Sequence, residues 1–164
     1  MSIGMIALTG CSALPTGQSN GDGSTVSDEQ ISTENPSPGA TGVNQTLRIT
    51  AEETTGGSEF AAIGATCPRD NFTVGSAQHG AVTIGVDTDG DGDLDRTFDE
   101  THISGVNNNE YSFDVTLDTG YTLEEGDAVV VRYPATDNPS ESGEYEIEVR
   151  LNDQQTETVT MTIE

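Results

Sequence analysis

The strongest constraint in this sequence is a period of two. Leu47, Ile49 and Ala51 alternate with Arg48, Thr50 and Glu52. The alternation returns in Val82, Ile84 and Val86, and in Tyr111, Phe113, Val115 and Leu117 set against Ser112, Asp114 and Thr116. It returns again in Tyr145, Ile147, Val149 and Leu151 against Glu146, Glu148 and Arg150, and in Val159, Met161 and Ile163 against Thr158, Thr160 and Thr162. Successive side chains of a strand point to opposite faces, so each run has one apolar face to bury and one polar face to show water. Shorter apolar marks at 60–63, 72–74, 97–98 and 129–131 complete a set of about nine strands, about ten residues apart, with turn residues between them. No stretch carries a helical period. The pattern predicts an all-β chain, an antiparallel β-sandwich of about eight to nine strands whose two sheets bury their apolar faces on one another. Residues 45–164 are long enough for one such core.

Ahead of that domain the pattern is absent. Residues 12–44 are rich in Ser, Thr, Gly, Asn and Pro, and their few larger aliphatics (Leu14, Val26, Ile31, Val43) follow no period. Such a segment buries too little apolar area to offset its ordering entropy and reads as a disordered tether, stiffer at Asn35-Pro36-Ser37-Pro38. Before it stands a short apolar run, Ser2 to Leu8, followed by Thr9, Gly10 and Cys11. Leu8-Thr9-Gly10-Cys11 resembles the lipobox of bacterial and archaeal lipoproteins, in which the chain is cleaved before the Cys and the Cys is lipidated. The resemblance implies a signal segment over 1–11 and a lipid on Cys11 that holds the protein on the extracellular face of the cell membrane. A signal segment also carries a basic n-region. No basic residue precedes Arg48, so the reading frame is expected to extend upstream.

Charge narrows the partners. The 29 acidic residues outnumber five basic ones, for a net charge of −24, and all five basic residues are Arg. Absence of Lys with dispersed Asp and Glu resembles proteins of extreme halophiles, haloarchaea above all. At about 1 M salt the screening length is only about 3 Å, so this acidity serves hydration and solubility rather than long-range attraction. Nucleic-acid binding is disfavoured, because it needs Lys and Arg to neutralise phosphates.

The last third resembles immunoglobulin-like modules of prokaryotic surface proteins. The likeness runs through Gly126-Asp127-Ala128-Val129-Val130-Val131, Asn138-Pro139, Gly143-Glu144-Tyr145-Glu146-Ile147-Glu148-Val149 and the closing Thr-rich strand. It implies an immunoglobulin-like sandwich with Tyr145 as a tyrosine corner, its hydroxyl tying the loop before the penultimate strand. Ile147 stands where an antibody domain has its second Cys, so no inter-sheet disulfide is expected.

Asp87-Thr88-Asp89-Gly90-Asp91-Gly92-Asp93-Leu94-Asp95 is the one constellation with chemistry in it. Asp at positions 1, 3 and 5 of a tightly curled loop, with Gly at 6, brings alternate carboxylates onto one cation. An EF-hand needs Glu at position 12 and helical flanks; here position 12 is Phe98 and the flanks read as strands. The loop resembles the calcium sites of β-hairpins, as in integrin-type propeller repeats. That resemblance implies Ca2+ held by the side chains of Asp87, Asp89, Asp91 and Asp95 and by the backbone of Asp93, with Leu94 anchoring the loop. The expected role is structural, since carboxylates so close repel one another without a cation.

The remaining signals are weaker. Asn44-Gln45-Thr46 and Asn71-Phe72-Thr73 are N-glycosylation sequons. Cys67, left without a partner if Cys11 is lipidated, reads as a small buried hydrophobe. Cys67, His79, His102 and Met161 invite comparison with blue copper proteins, but they lack the C-terminal clustering of Cys, His and Met in that family. No nucleophile motif, phosphate-cradling Gly loop or His-rich cluster appears. The expectation is a non-catalytic surface lipoprotein, monomeric as a domain, anchored in the membrane and in contact with other envelope proteins. An accessory or solute-binding protein of a membrane complex is the alternative, and a hydrolase or redox protein the third.

Overall fold

The structure, a computed structural model, describes residues 30–164. The expected signal segment, Cys11 and the first part of the expected tether lie outside the described residues. Eleven strands follow one another: β1 (Ile31–Thr33), β2 (Val43–Thr50), β3 (Ala62–Thr66), β4 (Thr73–Val74), β5 (Thr83–Asp87), β6 (Arg96–Phe98), β7 (Ile103–Asn108), β8 (Ser112–Leu117), β9 (Ala128–Asp137), β10 (Gly143–Leu151) and β11 (Gln155–Ile163). One 3-10 turn, His79–Ala81, precedes β5.

The strands form two antiparallel sheets. One has the order β1-β2-β9-β5-β6, with β4 also paired to β9; the other has the order β11-β10-β3-β8-β7. The fold is therefore the expected all-β, immunoglobulin-like sandwich. Its core is made by the faces the alternation marked. Leu47 and Ile49 of β2, Val129, Val131 and Tyr133 of β9, and Ile84 and Val86 of β5 are buried from the first sheet. Ile63 and Ala65, Phe113 and Val115, Ile147, Val149 and Leu151, and Val159, Met161 and Ile163 are buried from the second. At the centre the rings of Phe113 and Tyr133 stack across the sheets at 4.0 Å between centroids. The Tyr133 hydroxyl donates to the Gly75 carbonyl at 2.6 Å, so its polar end is satisfied inside the core.

Two departures from the sequence reading have plain causes. The folded domain begins before residue 45: β1 pairs with β2, Asn138 Nδ2 donates to the Asn35 and Ser37 carbonyls, and the Gly39 amide donates to the Pro139 carbonyl at 2.7 Å. Residues 30–44 thus belong to the sandwich and not to the tether. Their polar composition concealed this because the turn at 35–39 is held by bonds to residues about 100 positions away in sequence. Strand β7 is the second departure. Its register shifts between Ile103 and Gly105, and a shifted register breaks a period of two.

Tyr145 takes the expected corner role. Its hydroxyl donates to the Glu141 carbonyl at 2.9 Å, and its ring packs edge-on against Phe72 at 5.4 Å. It is half-buried rather than a core residue.

Candidate metal loop

The β5–β6 hairpin carries the acidic loop on the outer face of the first sheet. Along β5 Ile84 and Val86 join the core, while Gly85 and Asp87 are also buried, covered by the loop itself. Gly85 is required there: a Cβ at that position would lie 2.6 Å from both the Arg96 carbonyl oxygen and Leu94 Cδ1. The missing side chain leaves the space against which the half-buried Leu94 side chain lies. Gly90 (φ 77°) and Gly92 (φ 94°) take the left-handed conformations that let the chain curl back.

Each carboxylate has a distinct place. Asp87 is fully buried. Its Oδ1 accepts the Gly90 amide at 2.7 Å, and its Oδ2 accepts the Gly92 amide at 3.0 Å and the Arg48 guanidinium at 2.7 Å. Burial alone would raise its pKa, but the Arg48 hydrogen bond and charge and the two loop amides prevail and hold it below the ordinary value. Asp95 accepts the amide and the hydroxyl of Thr88, at 2.8 and 2.7 Å, and is lowered by those bonds. Asp89 behaves oppositely. The Asp91 amide pulls its pKa down, but partial desolvation and the negative charges of Asp91 and Asp95 outweigh that bond and leave it raised.

Oxygens of Asp87, Asp89 and Asp95 lie within 4.8 Å of one another. Ligands bound to one calcium at about 2.3–2.6 Å stand no more than about 5 Å apart, so these three fit a single ion. Asp91 and Asp93 are exposed and lie outside that group. The Asp91 carboxylate is turned back to accept the Asp93 amide at 2.9 Å. Of the four Asp side chains expected as ligands, the fold converges three; Asp93 is expected to act through its backbone carbonyl. Arg48, whose guanidinium neutralises one of the three charges, escaped the sequence reading because it lies 39 residues upstream, on β2.

The other expected residues lie apart from the loop. Cys67 is buried and free, and burial pushes its thiol up to about 12. His102 faces Asp99 through Nδ1 at 3.0 Å in the β6–β7 turn, and His79 is exposed in the 3-10 turn. Met161 lies in the core, where Gln45 Nε2 points at its sulfur at 3.6 Å. Asn71 is exposed, whereas Asn44 is half-buried on β2. The polar residues that sequence reasoning missed are tethers. Gln155 takes the Glu52 amide and Thr55 hydroxyl, Asn152 takes the Ala61 and Ala62 amides, and Asp127 takes the Tyr121 hydroxyl and Glu124 amide.

These features define an immunoglobulin-like sandwich with an acidic hairpin loop. No protein-family model matches the chain, and no curated protein does. Three solved structures are similar to it in fold. BslA, a bacterial hydrophobin, is 15% identical over 82% of this chain and 92% of that one, with a TM-score of 0.45. The group B streptococcus pilus 2b backbone protein is 15% identical over 80% and 56%, with a TM-score of 0.46. The collagen-binding domain of a Staphylococcus aureus adhesin is 13% identical over 73% and 87%, with a TM-score of 0.41. Likeness of this degree concerns the sandwich alone, and function has to be read from this chain's own residues.

Proposed function

We propose that this chain is a non-catalytic, lipid-anchored module of a salt-adapted cell's surface, and that its β5–β6 loop takes a structural calcium ion. The observation that carries the reading is how the polar side chains are used. Asp87, Asp95, Asp127, Asn138, Asn152 and Gln155 each hydrogen-bond backbone groups that shape a loop or a strand end. Groups committed to fixing backbone are poorly placed to move protons or attack a substrate. The one convergent set among the described residues, Asp87, Asp89 and Asp95, has the span and the hard oxygen donors that suit calcium.

A bound calcium would neutralise the mutual repulsion of these carboxylates and clamp the loop to β5. Arg48 already offsets the charge of Asp87, so the loop keeps its curl without the ion and gains rigidity with it. Weak binding, with Kd of about 0.1–1 mM, is what extracellular modules of this kind show and what a calcium-rich exterior suits. Cys11 is the proposed lipid attachment, and the residues between it and β1 are the spacer. Two acyl chains or an equivalent are required, since one gives only marginal binding.

Melting curves in molar KCl test the metal. Chelation lowers the transition of the wild type and leaves Asp89→Asn unmoved. A wild-type transition indifferent to chelation refutes the site. Mass spectrometry of native protein tests the anchor, and an unmodified Cys11 in a soluble chain refutes it.

A further inference from the structure

The geometry points to Asn71 as an N-glycan attachment site and separates it from Asn44, the other sequon. Asn71 lies in the turn between β3 and β4, and both it and Thr73 are exposed. Phe72, between them, is 2% exposed, its ring set edge-on against Tyr145. The middle residue thus pins the segment to the core while the acceptor and the hydroxyl residue two positions on both reach solvent. The segment is short of regular structure, because β4 is only two residues long. Little has to be undone for a transferase to grip it.

Asn44-Gln45-Thr46 is placed the other way. It lies inside β2, between β1 and β9. The Asn44 carboxamide donates to the Glu34 carboxylate, and the Asn44 backbone carbonyl accepts the Glu34 backbone amide at 2.9 Å. Gln45 is fully buried, and the Thr46 hydroxyl faces Arg132 Nε at 3.5 Å. Using this sequon would require pulling β2 from both neighbours.

The reaction is a group transfer without redox change. Asn71 Nδ2 forms a bond to the anomeric carbon of a lipid-phosphate-linked oligosaccharide. The bond from that carbon to the phosphate oxygen breaks, the lipid phosphate leaves with the electron pair, and the amide nitrogen gives up one proton. The inference rests on the proposed surface location, since the donor is met only during or after export. A glycan here would project from the β3–β4 corner, where bulk is tolerated in a surface loop.

The test is intact-mass and glycopeptide analysis of full-length protein from its own cells, with protease shaving of whole cells to establish its location. The expected result is a sugar mass on wild type, Asn44→Gln and Thr73→Ser, and its complete loss in Asn71→Gln and Thr73→Ala. Asn71 and Thr73 both lie on the surface, so variants there keep the fold and the comparison stays clean. A surface-exposed chain that lacks sugar at Asn71, or one whose sugar survives Asn71→Gln, overturns this inference and leaves the surface reading standing. A chain that shaving does not reach overturns both.

Discussion

Replacing Arg48 by Met is the most telling perturbation of the acidic loop. Met keeps the aliphatic stem and removes only the guanidinium. Arg48 is 11% exposed and its partner Asp87 is 0% exposed, with 2.7 Å between Nη2 and Oδ2. Leaving one member of a buried pair uncompensated costs about 3–5 kcal/mol. The Gly90 and Gly92 amides still solvate the carboxylate, which puts the expected loss at the low end, about 3 kcal/mol. For a domain of this size that is roughly 10 °C in Tm. Chemical and thermal unfolding in molar KCl with chelator measure it. Added calcium should restore part of the loss, and Arg48→Met with Asp87→Asn, which removes both charges, should recover more than half. The acid limb carries a sign. The folded pKa of Asp87 is depressed, so its contribution is complete above the ordinary Asp value of about 3.9 and is lost as pH falls through the folded value. Without Arg48 the depression shrinks, and acid unfolding should begin at higher pH. A loss under about 1 kcal/mol with an unchanged acid midpoint, the behaviour of an exposed pair, would refute the reasoning.

Gly85→Ala should lower stability by about 1–3 kcal/mol or more, as overpacking does, because the new methyl meets the Arg96 carbonyl and Leu94 at 2.6 Å; faster hydrogen exchange across 88–95 would report the loop lifting off. Tyr145→Phe should cost about 1 kcal/mol, the worth of one hydrogen bond, read as a denaturant midpoint shift with unchanged slope. Cys67 should resist alkylation in the folded protein and react only on unfolding, since it is buried and its thiol is pushed up to about 12; labelling at neutral pH under native conditions would contradict this. Desalting to about 10 mM without divalent ions should expand or unfold the domain, because the screening length there grows to about 30 Å and the excess of 24 negative charges repels itself; circular dichroism and scattering would show it, and full native structure would count against salt adaptation.

Much of this molecule is local and therefore written along the chain. Which faces of β2, β5, β8, β10 and β11 go inward follows from alternation, because neighbouring side chains of a strand must part to opposite sides whatever the strand pairs with. The curl of the acidic loop is equally local, resting on Gly90 and Gly92 and on carboxylates that reach amides two to five residues away. Tertiary structure decided the rest. It drew the carboxylates of Asp87, Asp89 and Asp95 together and left that of Asp91 outside. It set Arg48 on Asp87 across two strands, stacked Phe113 on Tyr133 across two sheets, and took residues 30–44 into the domain by bonds to Asn138 and Pro139. It also exposed one sequon and enclosed the other. These choices depend on which strands lie side by side, and that is settled by burial summed over the whole core, which no run of neighbours in the sequence contains.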